Sequence, residues 1–71
     1  MNKQRPSRPN SYAALSLRAI RHEENGEWIK GAQVWKQAAK AAKTQNEWFT
    51  ANSRRDFCLR NLAQTTQQEA V

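Results

Sequence analysis

The sequence predicts an all-α protein, a helical hairpin with a third helix packed on it, and three observations carry that expectation. Apolar and small residues recur every three to four positions in three successive stretches, no stretch alternates with period two, and both glycines fall between residues 26 and 31. At 71 residues the chain has room for one small domain. A domain of this size buries only about 60% of its unfolded surface, so association with a second copy or a partner is expected on size alone.

Residues 1–10, MNKQRPSRPN, hold both prolines and three cations and read as a flexible basic arm. A single helical domain then spans about 11–63. Asn10 or Ser11 is an N-cap for a first helix at about 11–24, in which Tyr12, Leu15, Ala19 and His22 share one face while Ala13, Leu17, Ile20 and Glu24 lie on its flank. Asn25-Gly26 breaks the pattern, as a glycine C-cap does. The second helix, about 27–43, sets Trp28, Gly31, Ala32, Trp35, Ala38, Ala39 and Ala42 in one stripe, where small residues beside indole rings let a neighbouring helix come close. Thr44 or Asn46 caps a third helix at about 47–63, whose apolar face gathers Trp48, Ala51, Arg55, Cys58, Leu59 and Leu62, with Phe49 and Phe57 off it. Arg55 in the middle of that face is expected to snorkel, to stack on Trp48 or to pair with Glu24. Residues 64–71, from just before TTQQEAV, read as a flexible tail.

Twelve Lys plus Arg against six acids set the net charge at +6, with a pI near 10.3 and a mean hydropathy of −1.02. This balance favours acidic or polyanionic partners without choosing among them. Cys58 is the one cysteine, which excludes an internal disulfide and a cysteine zinc cage, and no apolar run nears the ~20 residues of a membrane span. A soluble, cytoplasmic protein that does not use the membrane is the expectation.

Catalysis has no foothold. His22 is the lone histidine, Cys58 sits on a core face, and the chain holds no Gly-rich phosphate loop and no ligand-spaced His or Cys pair. A non-enzyme that needs no cofactor and no metal follows. Two binding surfaces compete. Lys36, Lys40 and Lys43, at i, i+4 and i+7, together with Arg5 and Arg8 of the arm, are placed to follow phosphates, although no base-reading helix is evident and a solvated lysine face is the favoured reading. Leu17, Ile20, Phe49 and Phe57 fall outside the three stripes and form a surplus of apolar side chains suited to a protein interface.

The spacing of Ala19, Gly26, Trp28, Gly31, Trp35 and Ala38 is similar to that of a single tetratricopeptide-type hairpin, which concerns hairpin geometry only. A wider resemblance runs from Ser11 to Leu62. The succession A-x-R-H-E-E-N-G-E-W-x-x-G-A-x-V-W-x-x-A-A-x-x-A, followed by N-E-W and R-R-D-F-C, resembles the ANR family, the AraC negative regulators of enteric bacteria and their phages and plasmids. Gly26, Trp28, Ala32, Trp35, Ala38, Ala39, Ala42, Asn46, Trp48, Arg54, Phe57 and Cys58 carry it. The resemblance implies a cytoplasmic helical protein that self-associates, binds an AraC/XylS-type transcription activator and represses virulence-gene expression. A small basic DNA-binding regulator is the alternative, and a structural protein of a phage particle is a third class.

Overall fold

The computed structural model describes the backbone of residues 10–70 and the side chains of residues 10–64. Apart from Asn10, which lies in a turn, the expected basic arm with Arg5 and Arg8 is outside the described residues. Three helices follow, α1 (Tyr12–Glu24), α2 (Trp28–Ala41) and α3 (Gln45–Ala70), with no strand among the described residues.

Local chemistry fixes each boundary. The Ser11 hydroxyl accepts from the Ala14 amide at 3.2 Å and so satisfies one of the free N–H groups that open α1. At the other end Gly26 takes φ +73°, the Gly26 amide donates to the Glu23 carbonyl at 3.0 Å, and the Glu27 amide donates to that of His22 at 2.8 Å. These paired bonds form a Schellman cap. The apolar contact that often accompanies such a cap is replaced by His22 Nδ1 against Glu27 Oε1 at 2.7 Å. That hydrogen bond is the main reason the Glu27 carboxyl is held below its usual range, with the charges of Lys30 and His22 adding to it.

The second turn uses Thr44. Its hydroxyl accepts from the Glu47 amide at 3.1 Å, and the Glu47 carboxylate reaches back to the Lys43 amide at 2.9 Å. This is a capping box whose return bond is displaced by one residue. It starts α3 at Gln45, ahead of the expected 47, while the extended backbone at Ala42, ψ 138°, ends α2 at Ala41 rather than 43. The expected stop at 63 is overturned, because α3 runs on to Ala70. Thr65 to Ala70 contain neither Gly nor Pro, and their Gln, Glu and Ala are good helix formers, so periodicity vanishes there without ending the helix.

α2 lies between α1 and α3, packing closely on both, whereas α1 and α3 scarcely meet. The extents are 52 × 26 × 12 Å, a thin layer of helices. Leu15, Ala19, Ala32, Val34, Trp35, Ala38, Ala51 and Cys58 form the core, so four alanines and a single large ring fill it. A Cβ on Gly31 would stand 3.2 Å from Cys58 Sγ and 3.6 Å from Glu23 Cγ, which shows how near the helices come.

The face expected of α3 holds only at its centre. Ala51 and Cys58 are fully buried, but Trp48 is 53% and Leu59 42% exposed. Both lie roughly 60–90° around the helix from the Ala51–Cys58 line, and a helix covered almost entirely by one neighbour buries only a narrow stripe.

Because nothing lies within 4 Å of a Cβ built on Gly26, replacing it tests backbone conformation alone. Gly26→Ala is expected to cost about 1 kcal/mol, read as a lower urea midpoint at unchanged slope.

Candidate functional site

Trp35 sits midway along α2 and is 3% exposed, so its indole N–H needs an acceptor inside the fold. Glu23, one turn beyond Ala19 on α1, supplies it. The indole donates to Glu23 Oε2 at 2.5 Å, the Arg54 guanidinium of α3 donates to Oε1, and the Cys58 thiol lies 3.5 Å from Oε2. The Glu23 side chain is 9% exposed and Arg54 41%, so one partner is enclosed and the other half open. One carboxylate therefore gathers donors from both other helices at the point where α1 reaches α3.

Aromatic contacts extend this junction outward. Arg54 Cζ stands 4.3 Å over the Phe57 ring, and Phe57 meets Trp28 edge to face with centroids 6.0 Å apart at 83°. The Arg54–Phe57 cation–π contact lies within α3, and the packing of Phe57 on Trp28 ties α3 to the start of α2. The ring and carboxylate contacts expected of Arg55 are made by Arg54 with other partners, Phe57 instead of Trp48 and Glu23 instead of Glu24, because Arg54 is the one on the side of α3 facing α1. Burial pushes the Cys58 thiol up to about 11 from an ordinary 9.0, helped by the neighbouring Glu23 charge. Its proton is held at neutral pH, which fits a small buried side chain rather than a nucleophile.

Sequence reasoning missed Glu23. The signal was present, since a buried tryptophan requires an acceptor and Glu23 continues the i, i+4, i+8 row of Leu15 and Ala19. The expected interface residues are placed as follows. Leu17 is 62% and Ile20 39% exposed, on the outer side of α1 with Ala13 and Glu24, and Phe49 is 66% exposed on the outer side of α3. Phe57 remains 40% exposed but also works inside the fold, through Trp28 and Arg54. Ile29, at 54%, joins Trp48 and Leu59 as exposed apolar residues not foreseen, and with Leu62 it lines a shallow groove at the start of α2. Lys36, Lys40 and Lys43 all face solvent. Among the described residues, no three of His, Cys, Asp and Glu group to hold a metal ion, and no helix is long and apolar enough to cross a membrane.

No protein-family model, curated protein or solved structure matches the chain.

The folded chain keeps the Cys58 proton to about pH 11 while an unfolded chain releases it near 9.0. The resulting stability is complete below pH 9 and is lost as pH rises through that window, by roughly 2 kcal/mol. Urea titrations from pH 8 to 11 should show wild type losing this much more than Cys58→Ala; parallel curves would contradict it.

Proposed function

We propose that this protein is a small regulator that binds an AraC/XylS-type transcription activator by protein–protein contact and represses it, acting in the cytoplasm without enzymatic activity. The observation that carries the reading is the placement of Leu17, Ile20 and Phe49 in solvent on a domain whose core is half alanine. So small a polar protein gains nothing for its own stability from large apolar side chains on the outside, and such surplus marks interaction surfaces.

The resemblance to the AraC negative regulators supplies the partner class. Several residues that carry it, Trp28, Trp35, Arg54, Phe57 and Cys58, have structural work at the Glu23 junction. That leaves the outer flank of α1 and the Phe49 side of α3 for partners. A second copy of the chain competes for the same surfaces, in keeping with a homo-oligomer.

Capture of a purified AraC/XylS-type activator, with light scattering on the free protein, tests the reading. Leu17→Ser/Ile20→Ser and Phe49→Ser should retain helical circular dichroism, and at least one should bind the activator tenfold or more weakly. Full capture and full self-association by both variants would place the interface elsewhere.

A further inference from the structure

We propose that the outward face of α2 binds the phosphate backbone of duplex DNA without regard to sequence. Lys36 and Lys40 lie on that face and are exposed, one turn apart. Between Trp28 and Ala41 the helix carries no acid. Among the described residues four of the other acids are engaged elsewhere, Glu23 with Arg54, Glu27 with His22, Glu47 with the Lys43 amide and Asp56 with Arg60, and Glu24 lies at the end of α1. Among the described residues the ion pairs include neither Lys36 nor Lys40. Their charge is uncompensated in a chain of net charge +6.

The surroundings of the two lysines decide the kind of polyanion. A helix that lies on a lipid surface needs an apolar side to sink into it. In α2 most of that side is already used, since Ala32, Val34, Trp35 and Ala38 are buried in the core; on the outward face Ile29 is one exposed apolar residue, too little to sink a helix, and Gln33 and Gln37 flank the lysines. One helical turn spaces Lys36 and Lys40 by roughly 6 Å along the axis, near two base-pair steps of about 3.4 Å each. Lysine meets phosphate as a point charge, and no arginine stands on the face to fork onto a guanine. Lys43, exposed beyond the break at Ala42, is a third cation near the end of that face rather than a member of the helical row.

The test is fluorescence anisotropy of a labelled duplex of arbitrary sequence with the full chain, and its result is independent of activator binding. With three phosphates neutralised, affinity should fall about twentyfold between about 50 and 150 mM salt. Lys36→Gln/Lys40→Gln should bind more weakly at low salt and fall only about threefold over that range. Lys36→Arg/Lys40→Arg should behave as wild type, since charge rather than shape is used. The proposal is overturned if wild type shows no binding at 50 mM salt, if it binds phosphatidylglycerol vesicles but not duplex, or if the glutamine variant keeps wild-type affinity and salt dependence.

Discussion

The Glu23 carboxylate is the constraint on which the arrangement of the three helices depends. α2 can hold α1 and α3 separately through alanine contacts, but those contacts are small and say little about how the two outer helices are set against each other. Glu23 relates them, because it reaches Arg54 of α3 while accepting from Trp35 of α2. Removing a carboxylate from water is costly unless its oxygens find donors, and a charged donor offsets the most. Here an indole N–H, a guanidinium and a thiol converge on it, so α1, α2 and α3 must all be in place for the carboxylate to be satisfied.

Close approach at this point has a compositional consequence. Gly31 faces Cys58 Sγ at a distance where any side chain would press on it, and Ala19, Ala38 and Ala51 are wholly buried around the same seam. The interior is therefore filled by backbone proximity more than by large side chains. Trp35 is the exception, admitted because its one polar atom has a partner. Most of the larger apolar residues remain outside, and the proposed protein-binding reading rests on this partition.

The hairpin was legible in the sequence because its signals are local. Ser11 at the start of α1, Gly26 at its end and the Trp–Ala stripe of α2 each act through neighbours three or four residues away. Cys58 as a core residue followed from the same periodicity. What escaped was set by the number of neighbours an element has. Trp48 and Leu59 carry the right period for burial, but α3 meets chiefly one helix, so among its described residues only Ala51 and Cys58 are fully covered. The end of α3 escaped for another reason, since a polar stretch with good helix formers and no breaker continues a helix without any apolar stripe. The choice of Arg54 over Arg55 depended on which side of α3 faces α1, which one helix's pattern does not contain.

The residues that build the junction serve the fold, and the proposed recognition role rests on the apolar side chains left exposed on the outer flanks of α1 and α3. Indole proton exchange by NMR examines the junction most directly, because the chain has three tryptophans in different settings. The account predicts that the Trp35 indole proton exchanges far more slowly than that of Trp48, and that Glu23→Ala removes the difference. Equal exchange at Trp35 and Trp48 in the wild type, or a Trp35 signal untouched by Glu23→Ala, would contradict it.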